Sequence, residues 1–173
     1  MKKVVIIGPE STGKSTLCAD LANYFNCSFL PEFARQYLEE YGSKYSYEDV
    51  LKMSEGQAKS ENAFEAENPD IPYLLIDTNQ YVYKVWIEEK YGKYEPLIES
   101  LIKSSSYDYY FLCDIDCSWE YDEFREHPLD KDRKRLFKRY EELLNLDGTP
   151  FKVLSGNQNI RLSKAVSFLK KNI

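Results

Sequence analysis

A short apolar run and the octapeptide that follows it constrain this chain more than any other feature. Val4-Val5-Ile6-Ile7 is wholly apolar and β-branched, as expected of a strand buried on both faces. Gly8-Pro9-Glu10-Ser11-Thr12-Gly13-Lys14-Ser15 then fits G-x-x-x-x-G-K-[ST] at every defined position. Leu17, Leu21, Tyr24 and Phe25 follow at helical spacing. Strand, glycine loop and helix together predict a concave nest of backbone N–H groups at a helix N-terminus, a cradle for the phosphates of a nucleoside triphosphate. Gly8 and Gly13 supply backbone conformations and close approaches that a Cβ would obstruct. Lys14 is expected to reach the β- and γ-phosphates, and the Ser15 hydroxyl to hold Mg²⁺. Glu10, Ser11, Thr12 and Thr16 complete the expected ATP-binding set within this stretch, and Arg161 joins it from the C-terminal part of the chain.

The rest of the chain continues the alternation of strands and helices that builds parallel βαβ units. Strands are predicted at Ser28–Leu30, Tyr73–Asp77, Tyr109–Cys113 and Phe151–Leu154. Helical patterns run over Phe33–Tyr41, from the capping-box sequence Ser46-Tyr47-Glu48-Asp49 to about Asn68, over Thr78–Tyr91, Glu95–Ser104, 133–146 and Leu162–Leu169. In 133–146, Leu136, Phe137, Tyr140, Leu143 and Leu144 form one apolar stripe, which Gly148 ends. No repeat, low-complexity tract or linker interrupts the 173 residues, so one domain spanning 1–173 is expected. The predicted class is α/β: three layers, with a five-stranded parallel sheet flanked by helices and a helical lid at approximately 115–140.

Composition excludes several classes. A net charge of −6 argues against an extended basic groove for nucleic acid. No apolar run approaches the roughly 20 residues needed to span a bilayer, and the first strand leaves no room for a signal peptide. Cys18, Cys27, Cys113 and Cys117 lack metal-finger spacing, and the only histidine is His127. Reduced thiols fit a cytoplasmic location.

Three further groups carry chemistry. Asp77 ends a strand of hydrophobic residues, the setting of a carboxylate that manages Mg²⁺, and N-capping of the next helix is the structural alternative. Glu32 and Arg35 follow the second strand at the same sheet edge, where Glu32 can accept a proton from a substrate hydroxyl. Gln57 lies deep in a helix and is a candidate substrate contact. Between Trp119 and Arg139, Arg125 and Arg133 lead a set of arginines able to close on transferring phosphoryl oxygens, although most charges there also suit a solvated helix face.

Taken in order, Gly8–Ser15, Pro31-Glu32-Phe33-Ala34-Arg35, Gly56-Gln57, Asp77-Thr78 and Trp119-Glu120-Tyr121-Asp122-Glu123-Phe124-Arg125 resemble the ribosylnicotinamide kinase domain of the NadR family, a branch of P-loop kinases. The resemblance runs from residue 3 to about 165. It implies phosphorylation of the 5′-hydroxyl of nicotinamide riboside by ATP, with Glu32, Arg35 and Asp77 on the substrate side and the lid around Arg125; Trp119 is, with Gln57, a further candidate substrate contact. Larger members carry an N-terminal adenylyltransferase domain, for which this chain has no room. Some members place Trp before the second-strand glutamate, where this chain has Pro31. Phe33, Phe64, Tyr81 or Trp119 is then expected to supply an aromatic wall. The sequence leaves open whether Glu32 or Asp77 is the base and which lid arginine acts. A kinase for another nucleoside, or a regulatory ATPase switch with a protein partner, remains as an alternative. A GTPase is disfavoured because no N-K-x-D motif occurs.

Overall fold

The computed structural model describes residues 2–172. Strand β1 (Lys2–Ile7) leads through the glycine loop into α1 (Lys14–Phe25), followed by β2 (Phe29–Leu30), α2 (Phe33–Tyr41) and the long α3 (Tyr47–Glu67). Then come β3 (Tyr73–Asp77), α4 (Gln80–Tyr91), α5 (Pro96–Ser104), β4 (Tyr109–Cys113), α6 (Asp130–Asp147), β5 (Phe151–Leu154) and α7 (Gln158–Lys171). The strands form one sheet in the order β2-β3-β1-β4-β5, and every pairing is parallel.

Side chains alternate across the pleat of β1, and each face meets its own layer of helices. Val4 and Ile6 pack with Leu17, Leu21, Ala165 and Leu169 of α1 and α7. Val5 and Ile7 pack on the opposite face with Val85 of α4 and Leu136, Tyr140 and Leu144 of α6. A third cluster, with Leu38, Met53, Tyr83 and Ile98, joins α2, α3, α4 and α5 beside the sheet. No helix among the described residues is long and apolar enough to cross a membrane.

Several boundaries differ from the sequence expectation for identifiable reasons. Helix α4 begins at Gln80 because Thr78 holds φ 69°, outside the helical range, and Asn79 is the N-cap, its side chain accepting from Tyr81 N at 3.2 Å. Asp77 is therefore not the cap of that helix. The capping box at Ser46 forms, with Asp49 bonded to the Ser46 backbone. Tyr24 does not join the apolar face of α1. It is 49% exposed, and its hydroxyl accepts from Lys170 Nζ. The expected lid segment 115–140 divides: 115–129 is irregular, while α6 begins at Asp130 and presses Leu136 and Tyr140 into the core.

Gly8, at the end of β1, has φ 144°, and a Cβ built on it would lie 2.8 Å from the carbonyl oxygen of Cys113 in β4. Gly8→Ala is therefore expected to force apart the neighbouring strand ends and cost about 2 kcal/mol. Urea denaturation measures this directly, and an unchanged midpoint would show that the loop relaxes freely.

Candidate active site

Parallel pairing gathers the chemistry at the carboxyl ends of the strands. The β1–β3 register sets Ile6 beside Asp77, and Thr78 N donates to Ile6 O at 3.0 Å. Asp77 thus stands where the glycine loop leaves the sheet. Ser15 Oγ, in the first turn of α1, donates to Asp77 Oδ2 at 2.5 Å. Asp77 is buried, and its other oxygen, Oδ1, has no partner among the described residues. Inside the loop, Thr12 Oγ1 and Lys14 Nζ both donate to Pro9 O, at 2.7 and 2.9 Å.

A cavity of about 750 Å³ opens from this loop. Gly8 to Thr16 line it, together with Glu32 and Arg35 at the start of α2, Asp77 at the end of β3, and the aromatic rings of Phe29, Trp86, Phe124 and Tyr140. Glu32 occupies the N-cap position of α2 without using its carboxylate on the cap. Burial and the neighbouring Asp77 push its pKa up to about 7, against the opposing pull of Lys14 and Arg35. Burial also raises Asp77, while Lys14 and the Ser15 hydrogen bond favour its charge. Two desolvated carboxylates facing one ammonium favour retention of a proton near neutrality, and such a pair titrates as a unit. Once that proton is lost, above about pH 7 for Glu32, the site can take up a proton from a bound hydroxyl.

Residues 115–129 lie over the loop and are fastened to it. Glu10 accepts from Trp119 Nε1 at 3.3 Å, from Glu126 N at 3.0 Å and from His127 N at 2.5 Å. Ser11 Oγ accepts from Glu120 N at 2.9 Å and from Arg125 Nη1 at 3.2 Å. From α2, Arg35 donates to Asp122 Oδ2 at 2.6 Å and to Glu39 Oε1 at 2.7 Å, and lies over the Phe124 ring.

Arg125 therefore sits at the cavity wall beside Ser11, whereas four other expected site residues do not line the cavity. Arg133 is buried behind the loop, its Nη2 donating to Ser11 O and Cys117 O. Arg161, also buried, donates to Thr12 O at 2.5 Å, Gly156 O at 2.8 Å and Asp114 O at 3.0 Å. Both arginines brace backbone carbonyls, Arg133 that of Ser11 and Arg161 that of Thr12 within the loop. Gln57 is fully buried: its Oε1 accepts from Phe33 N at 2.9 Å, and its Nε2 faces Thr78 O at 3.4 Å. Trp119 is committed to Glu10. The aromatic side chains on the cavity are Phe29, Trp86, Phe124 and Tyr140, with none of Phe33, Phe64, Tyr81 and Trp119 lining it. The available signal for Trp86 was its place on the α4 face shared with Val82, four residues earlier.

The Glu10 latch has a pH signature. Burial opposes ionisation of Glu10, but His127, the Glu126 and His127 N–H groups and Trp119 outweigh it, lowering its pKa. The same contact raises His127 above 6.5 against the effect of its burial. Since the folded-state value is the higher one, this ion pair's contribution is complete below about pH 6.5 and is lost as pH rises through the folded pKa. NMR of the sole imidazole should give a midpoint above 6.5, which Glu10→Gln lowers; a midpoint at or below 6.5 would contradict the latch.

A family model described as an AAA domain matches residues 3–161. The chain is 28% identical over 158 residues to the trifunctional NAD biosynthesis/regulator protein NadR of Escherichia coli K12, covering 87% of this chain and 37% of that protein. It is 26% identical to the protein of the same name from Salmonella typhimurium LT2, covering 99% of this chain and 42% of the relative. The chain thus spans about two-fifths of the length of these curated relatives. Its fold resembles a crystal structure of NadR in complex with NR, with TM-score 0.78 and 24% identity over 98% of this chain and 50% of the other. It also resembles deoxyadenosine kinase from M. mycoides with bound dATP, with TM-score 0.65 and 16% identity over 98% of this chain and 100% of the other. With the AAA-domain model matching nearly from end to end, the chain belongs to the AAA_28 family of P-loop domains.

Proposed function

We propose that this chain is an ATP-dependent kinase that phosphorylates the 5′-hydroxyl of a nucleoside, converting nicotinamide riboside to nicotinamide mononucleotide. The observation that carries this reading is the meeting of Glu32, Asp77 and Lys14 on one cavity that has a phosphate loop at one end and an aromatic wall at the other. The NadR relatives, whose name includes NAD biosynthesis, and the nucleoside kinase fold support the named acceptor.

The donor end fits a Mg²⁺-triphosphate. Asp77 Oδ1 is a buried carboxylate oxygen without a partner, and Ser15 Oγ lies against Oδ2. These are hard oxygen donors of the kind Mg²⁺ takes. When bound, the metal would be held through Ser15 and Asp77 and would supply neutralisation of phosphate charge. Lys14 then exchanges its hydrogen bond to Pro9 O for the phosphates, and Arg125 offers a planar fork from the lid. Glu32 takes the proton of the acceptor hydroxyl: its carboxylate is free of the cap, whereas Asp77 is engaged by Ser15. The lid excludes water from the transferring group. Gln57, Arg133 and Arg161 act by holding the walls, and Arg35 by tying α2 to the lid. Buried thiols such as Cys18 and Cys113 fit a cytoplasmic kinase.

A panel of nucleosides incubated with Mg-ATP tests the proposal. The expected result is a phosphorylated product from nicotinamide riboside, with turnover reduced about 10²-fold or more in a folded Lys14→Ala variant. A product from another nucleoside alone would replace the acceptor and keep the kinase. ATP hydrolysis with no phosphorylated acceptor would replace the kinase with a regulatory ATPase.

A further inference from the structure

One lid residue touches both ends of the cavity. The backbone N–H of Glu126 donates to Glu10 Oε2 at 3.0 Å, and Glu10 belongs to the loop that cradles the phosphates. Its side chain points the other way: Oε1 accepts from Tyr45 Oη at 2.7 Å and from Lys90 Nζ at 2.7 Å. Tyr45 Oη in turn accepts from Trp86 Nε1 at 2.8 Å and from Lys90 Nζ at 2.6 Å, so its donor and both its lone pairs are engaged. Trp86 also lines the cavity, as does Phe124, over whose ring Arg35 lies. A continuous series of hydrogen bonds therefore runs from the donor loop, through Glu126 and Tyr45, to the ring an acceptor would meet.

We propose that Glu126 is a positioning residue through which occupancy of the donor and acceptor halves of the cavity favours each other, a role that rests on the kinase reading above. The physical basis is the double attachment. A phosphate-bearing ligand that orders Pro9–Ser11 fixes Glu10 and, through it, the Glu126 backbone. A ring seated against Trp86 fixes the indole, Tyr45 and the Glu126 carboxylate. Either event leaves the other less ordering to complete, which is positive coupling between two sites. The Glu126–Lys90 pair is partly exposed, so the joint is cheap to form and to break. Glu126 lines the cavity, whereas Tyr45 stands behind Trp86 outside the lining.

Calorimetry on the full chain measures the coupling, using Mg²⁺ with a non-hydrolysable ATP analogue and nicotinamide riboside as probes. In the wild type, each probe should tighten the other by the same factor, about fivefold or more. Glu126→Ala, which keeps the backbone donor to Glu10, should bring that factor toward one. Tyr45→Phe, which keeps the ring and removes the hydroxyl, should shift it in the same direction. A merely structural residue would weaken both probes and leave the factor unchanged, which would overturn the proposal. Independent binding of the two probes in the wild type would overturn the coupling and leave the kinase reading standing. Binding of the analogue with no binding of nicotinamide riboside, repeated across the nucleoside panel, would overturn both.

Discussion

Parallel pairing of β1 with β3 on one side and β4 on the other is the constraint on which the rest depends. It sets Ile6 beside Asp77, draws Thr78 N onto Ile6 O, and brings β4 so near Gly8 that no side chain fits there. The two helix layers are then fixed by the alternation of Val4 and Ile6 with Val5 and Ile7. With the loop anchored, the Thr12 hydroxyl holds the carbonyl of Pro9 and Arg161 holds that of Thr12.

What the sequence made legible is what local pattern and connectivity determine. The apolar runs gave the strands, and the glycine spacing gave the loop. A carboxylate at the end of a buried strand had to stand at the sheet edge, which placed Asp77 and Glu32 correctly on the cavity. Less legible were the features decided by direction rather than position. Charged side chains are seldom buried, yet Arg133 and Arg161 are both enclosed and donate to backbone carbonyls rather than lining the cavity. Gln57 lies near the expected place but is turned inward, onto Phe33 N.

The lid was the least readable part. Residues 115–129 have no helical or strand period, and their arrangement is set by long-range bonds to Glu10, Ser11 and Arg35 that leave no local signature. Glu10 occupies an unspecified position of the loop motif, so the motif is silent about its role as the lid's anchor. Trp86 shares a helix face with Val82 and so reads as ordinary packing, whereas the fold turns that face toward the cavity.

The central claim is that Glu32, raised to about 7 by burial and by Asp77, is the group that receives the acceptor's proton. A raised carboxylate is deprotonated, and competent as a base, only above its folded-state pKa. The most direct measurement is kcat/KM for phosphoryl transfer between about pH 5 and 9 in the wild type and Glu32→Gln. The wild-type profile should rise through about pH 7 to a plateau. The variant should lose that limb and fall by about 10²–10⁴-fold. A limb that persists unchanged in Glu32→Gln would contradict the account and move the proton to another group.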